Sequence, residues 1–167
     1  ARKRVIRYQT ESARTCDASR LRNRTLSRDD LNAVLSFLAE FAQQMLAEQG
    51  QFYPFAAGMA AGGEMTSLAA ETDETQPSSQ EIIQVLFSGL RQQASSGEIV
   101  AAGICTDVRV TPPDSTVTTD AICVELEHVS GEAVDVFIPY TIQNETVVDG
   151  EIVATPGEQR LFIASAG

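Results

Sequence analysis

Histidine occurs once in this 167-residue chain, at position 128, lysine once, at position 3, and tryptophan not at all. A single histidine excludes metal centres that need two within one subunit, such as zincin-type and two-histidine-one-carboxylate sites. Cysteine is sparse as well. Cys16, Cys105 and Cys123 form an odd set, too few for a disulfide framework, and such usage fits a reducing compartment. No apolar run approaches the roughly 18 residues of a membrane span, and the basic stretch ARKRVIRYQTESAR lacks the apolar segment of a secretory signal. These absences lead to the expectation of a soluble cytoplasmic protein without membrane contact. Nucleophile and phosphate motifs are missing too: there is no G-x-S-x-G elbow, S-x-x-K, C-x-x-C or Walker sequence.

What is present is an uneven charge. The formal net charge is −11, yet residues 1 to 28 carry nine of the twelve basic residues against Glu11 and Asp17, a local balance of +7. The other 139 residues hold Arg91, Arg109 and Arg160 against 21 acids, a balance of −18. The split defines a basic amino-terminal arm, residues 1–26, and a single acidic domain, residues 27–167. An acidic body repels nucleic acid, so only the arm could tether one. A hydrophobic content of 43% with 21% charged residues is that of a globular chain with a sizeable core.

Two helices are written in the sequence. Leu26-Ser27-Arg28-Asp29-Asp30-Leu31 reads as a helix start, with Ser27 and Asp30 as a capping box and Leu26 and Leu31 as a staple. The apolar stripe Leu31, Val34, Leu35, Leu38, Phe41, Ala42, Met45 and Leu46 follows, and Gly50 closes it. Ser78 and Glu81 form a second capping box ahead of Ile82, Ile83, Leu86, Phe87 and Leu90, with Gly97 at the end. Thr72 to Gln76 is a polar loop. Between the helices, FYPFAAGMAAGGEMTSLA has no basic residue and no helical pattern after its glycines, so it reads as a hairpin rather than a phosphate loop. This pattern puts Phe55 and Leu68 on one face, and its small residues call for close packing, chiefly against the first helix.

From Ile104 onward the apolar period becomes two. Ile104, Thr106, Val108 and Val110 make one strand, Ile122, Val124, Leu126 and His128 a second, and Val134, Val136, Ile138 and Tyr140 a third. Pro112 to Ser115 and Ser130 to Glu132 are turns. Val147 to Gly150 reads as loop, with further strand character at Glu151 to Ala154 and at Leu161 to Ile163. The fold class is therefore α+β: one antiparallel sheet of about five strands, two main helices on one face, and the order α-β-β-α-β-β-β after the basic arm. That order resembles the order in roadblock and profilin-like domains, and the resemblance implies a binding or dimerisation module.

Parity carries the remaining expectations. A hairpin centred on Asp114 sets Cys105 opposite Cys123 and Ile104 opposite Val124. Both thiols then lie on the charged face, away from His128, which argues against a cysteine-histidine pair. Glu125, Glu127 and Asp135 share that face, with Asp107 nearby, as do Cys123, Phe137 and Pro139. A carboxylate cluster of this kind can hold a cation, but a solvated acidic face needs no ligand. No catalytic residue, cofactor or metal is expected. A face that mixes acids with apolar side chains needs cover from the arm, a carboxy-terminal segment or a second subunit. The expected interaction surface is Cys123, Glu125, Glu127, Asp135, Phe137 and Pro139, met by Arg4 and Arg7. The expected function is a non-enzymatic protein-binding or regulatory domain, self-associating as a homodimer or binding a protein partner. The alternative is a small-molecule-binding protein or an enzyme of unrecognised type.

Overall fold

The computed structural model describes residues 5–7, 18–70, 78–112 and 115–163, with side chains described from residue 27 onward. In chain order the elements are β1 (Val5–Arg7), α1 (Ala18–Gln49), β2 (Phe55–Met59), β3 (Met65–Ala69), α2 (Ser79–Ser95), β4 (Ala101–Thr111), β5 (Thr119–His128), β6 (Ala133–Gln143), β7 (Thr146–Asp149) and β8 (Val153–Pro156). The order helix, two strands, helix, strands is as expected, and the fold is α+β. The antiparallel sheet runs β3-β2-β4-β5-β6, with β7 and β8 on the outer side of β6, and β1 adds a short parallel pairing to β4. The polar loop expected over residues 72 to 76 lies outside the described residues.

Helix α2 is as the sequence spells it. Ser78 Oγ accepts the Glu81 amide at 3.2 Å, and the Glu81 carboxylate accepts the Ser78 amide at 3.0 Å, closing the capping box. Ile82, Leu86 and Leu90 are buried, and Gly97 ends the segment at a positive φ of 77°. Helix α1 ends as expected at Gly50, φ 73°, but its start is corrected: it begins at Ala18, nine residues before Ser27. Ser27 is no cap. It is 1% exposed, and its hydroxyl donates to Glu132 Oε2 at 2.9 Å, a tertiary partner that local spacing does not reveal.

The two helices lie on opposite faces of the sheet, which corrects the expectation that both pack on one. Leu31, Val34, Leu38, Ala42 and Leu46 of α1 pack with Phe55, Ala57, Cys105, Ile122, Val124, Leu126, Val136 and Ile138. Ile82, Leu86 and Leu90 of α2 pack with Ala56, Ala102 and Ile104 on the other side. The central strands are therefore buried on both faces, and alternation in them no longer separates inside from outside. The small residues of β2 and β4 serve both helices. A Cβ on Gly103 would lie 2.7 Å from Leu38 Cδ1, and one on Gly58 would lie 2.8 Å from Ile99 Cγ2.

Double burial also explains a one-residue correction in register. Thr106, not Cys105, lies opposite Cys123, and Cys105 lies opposite Val124. Cys105, Asp107 and Ile122 consequently belong to the α1 face, whereas Ile104, Val108, Cys123, Glu125 and Glu127 belong to the α2 face. The first hairpin shifts in the same way. Ala60 N–H donates to Glu64 O at 2.9 Å and Gly63 N–H to Ala60 O at 2.9 Å, so Gly63, φ 94°, is an extra bulged residue. It sets Phe55 opposite Ala69 and Ala56 opposite Leu68, which places Phe55 and Leu68 on opposite faces.

At the far edge the expected loop at Val147 to Gly150 is largely strand β7, and Leu161 to Ile163 is not a strand. The β6–β7 turn places Asn144 at φ 50° and Glu145 at φ 64°. Both central residues have positive φ, the tight hairpin form that favours Asn-Gly. Asparagine adopts that conformation readily and glutamate only at a cost, so no familiar turn dipeptide marks the site. Glu145→Gly is expected to raise stability by about 0.5–1 kcal/mol, read from the midpoint of urea unfolding.

Candidate functional site

The residues expected to form an interaction surface do share a face. Across β5 and β6, Cys123 lies opposite Phe137, Glu125 opposite Asp135, and Ala121 opposite Pro139. Most of that face is closed within the chain. Cys123 and Phe137 are 1% and 3% exposed among Val108, Val110 and Ala121, leaving Glu125, Asp135 and Pro139 partly accessible. Arg4 lies outside the described residues, and Arg7 is described only as the last residue of β1.

The acidic end of this face is covered by the chain's own carboxy-terminal segment. Glu127 is buried, and one carboxylate oxygen accepts the amides of both Arg160, at 2.5 Å, and Leu161, at 2.8 Å. Arg160 reaches Glu125 at 3.4 Å and lies over the Phe87 ring of α2, 5.3 Å from its centroid. Leu161 completes the α2 core. Glu127 thus acts as an internal cap for a segment that has no ladder of its own. Asp107, expected nearby, is on the opposite face, and among the described residues no group of three or more histidine, cysteine or acidic side chains could hold a metal ion.

His128 sits where β5 meets the turn to β6. Its Nδ1 accepts the Ser130 amide at 3.0 Å, which puts the ring proton of the neutral form on Nε2, facing Asp30 Oδ2 at 3.0 Å. Ser130 Oγ is 2.8 Å from Nδ1. Serine, histidine and aspartate are therefore in line, an arrangement spread over α1, β5 and a turn that spacing alone conceals. A nucleophilic serine also needs amide donors for an oxyanion. Here the turn amides are committed: Val129 to Val100 O, Ser130 to the imidazole, and Gly131 to His128 O. Together with the Ser27–Glu132 bond, the trio fastens the third and fourth turns of α1 to the β5–β6 turn. Cys105 shares the histidine's face, contrary to expectation. The strand rise nonetheless separates Cys105 from Ala101, the partner of His128, by about 13 Å, so no thiol-imidazole pair forms.

Farther along the α1 face of the sheet, Tyr140 donates its phenol proton to Asp107 Oδ1 at 2.7 Å. Burial, reinforced by the Asp107 carboxylate, holds the Tyr140 phenol protonated far above its ordinary range. Burial also pushes the Cys105 thiol up, with the neighbouring Cys123 and Asp107 adding to the effect. In both cases the folded chain holds the proton more tightly than the unfolded chain. The resulting stabilisation is complete below the ordinary thiol value of 9.0 and is lost as pH rises above it. Urea midpoints are expected to stay level near neutral pH and to fall once pH passes about 9.

The remaining candidate is an edge. Among the described strands β3 pairs only with β2. Because Ala60 bonds to Glu64, the ladder bonds continue through Thr66 and Leu68. The N–H and C=O groups of Met65, Ser67 and Ala69 then point outward, away from β2. The strand, MTSLA, carries no charge and no proline, the usual protections of an open edge. Apolar side chains flank it on both faces. On the α1 side Phe41 is 49% exposed and leans on Phe55, ring centroids 5.3 Å apart, beside Ala69. On the α2 side a Cβ on Gly89 would lie 3.4 Å from Leu68, and Val85, one turn earlier on the same stripe, is 50% exposed.

No family model, curated protein or solved structure matches this chain.

Proposed function

We propose that this chain is a non-enzymatic protein-binding domain that takes up an extended segment of a protein partner along β3. One observation carries the reading: an uncharged, proline-free edge presents the main-chain groups of Met65, Ser67 and Ala69 between two exposed apolar side chains, Phe41 and Val85. An added strand would gain main-chain hydrogen bonds at its edge, and its alternate side chains would cover Phe41 on one face and Val85 on the other. The odd cysteine count and the buried, protonated thiol of Cys105 fit the reducing cytoplasm for such a domain.

Ser67→Pro tests this reading cleanly. The Ser67 amide points away from β2, so proline removes an outward donor without breaking the hairpin. Displayed random peptides selected on the wild-type chain are expected to be extended segments that lose binding to Ser67→Pro. A selection that yields only binders indifferent to this substitution overturns the reading.

A further inference from the structure

We infer that the segment taken up by β3 is the β3 strand of a second copy, joined antiparallel about a two-fold axis at Ser67. This rests on the proposed role of the β3 edge and names its partner. The outward residues Met65, Ser67 and Ala69 are symmetric about Ser67. Antiparallel self-pairing in that register sets Ser67 against Ser67 of the second copy and Met65 against Ala69 of the second copy. Every outward N–H and C=O of the three residues then has a partner.

Such an axis is perpendicular to the sheet, so each face continues into the same face of the second copy. The α1 helices fall on one side and the α2 helices on the other. Phe41, which stands at the Ala69 end of the strand, comes over Met65 of the second copy, a thioether-aromatic contact made twice. The exposed Val85 side chains are brought toward the junction on the opposite face.

Charge favours a second copy at this place. Residues 29 to 167 carry a balance of −18, so the acidic bodies of two copies repel, and MTSLA is a stretch where they can meet without apposing acids. The sign of the salt response follows. Salt screens the repulsion, so a dimer joined here tightens as ionic strength rises. A basic arm lying on an acidic neighbour would give the reverse.

Sedimentation velocity on the full chain, over a range of concentrations and at about 20 mM and about 500 mM salt, tests the inference. The expected result is a reversible dimer that tightens by roughly tenfold at the higher salt. Ser67→Pro should weaken it on the order of 30-fold, because both axial hydrogen bonds are lost. Ser67→Lys, which sets two like charges at the axis, should weaken it at least as much. Far-UV circular dichroism identifies which variants are folded. A wild-type chain that stays monomeric overturns the inference and leaves the β3 edge to a foreign strand, on which the peptide selection decides separately. A dimer indifferent to both Ser67 variants, or one that loosens with salt, also overturns it.

Discussion

Gly103→Ala is expected to destabilise the fold by about 2 kcal/mol, although it adds only one methyl group. The added carbon would lie 2.7 Å from Leu38 Cδ1, 2.9 Å from Leu126 Cδ2 and 3.2 Å from Val34 Cγ1. All three neighbours are buried, at 0%, 3% and 0% exposure, so none can turn into solvent to make room. At Gly103 the side chains of α1 pack directly on the strand backbone, and the methyl would push the helix away from β4 and β5 together. The cause can be isolated. Leu38→Val removes the nearest atom and by itself costs about 1 kcal/mol through the space it leaves. If the clash is responsible, the double variant should be more stable than the sum of the two losses predicts, by about 1 kcal/mol or more. Additive urea midpoints would show that the loss comes from the strand backbone instead.

Glu127→Ala is expected to release the carboxy-terminal segment at a cost of about 2–3 kcal/mol. The substitution leaves the amides of Arg160 and Leu161 without their acceptor at a buried position. Either those amides stay unsatisfied or the segment lifts away, and lifting uncovers Ile82, Leu86 and Ile104 as Leu161 leaves them. Arg160 turns this into a direct readout. It is one of only three arginines after residue 28, and trypsin should cut after it slowly in the wild type and rapidly in the variant. Glu127→Gln keeps one acceptor oxygen and should show about half the loss. Equal resistance of Glu127→Ala and wild type to trypsin would show that Leu161 and the contacts of Arg160 with Glu125 and Phe87 anchor the segment without Glu127.

How much of this was legible depended on whether the deciding interactions are local. Helix α2 could be read residue by residue because Ser78, Glu81 and Gly97 act within a few positions of one another. The shared face of Glu125, Asp135, Cys123 and Phe137 was also legible, since the β5–β6 turn is short and closes on Gly131, φ 106°. Strand β4 was harder. With α1 below and α2 above, both of its residue sets are buried, and Cys105 and Asp107 look like surface positions only if one side is assumed wet. Ser27 shows the same limit on a helix. Its spacing from Asp30 fits a capping box, yet its hydroxyl is held by Glu132, 105 positions away in the chain. The edge position of β3 among the described strands had no signature of its own in the sequence, because it depends on which strands pair elsewhere in the fold.

The two sides of the sheet end differently, and that difference sets what the chain can build. Strand β6 is sheathed almost end to end, by β8 along Val134 to Phe137 and by β7 along Tyr140 to Gln143, and both sheathing strands are only four residues long. Such stubs are poor templates for another strand. Growth through β3 would therefore consume the one well-formed adhesive end found among the described strands of each chain. A monomer with two such ends could polymerise into a filament, whereas one with a single end stops at a closed pair.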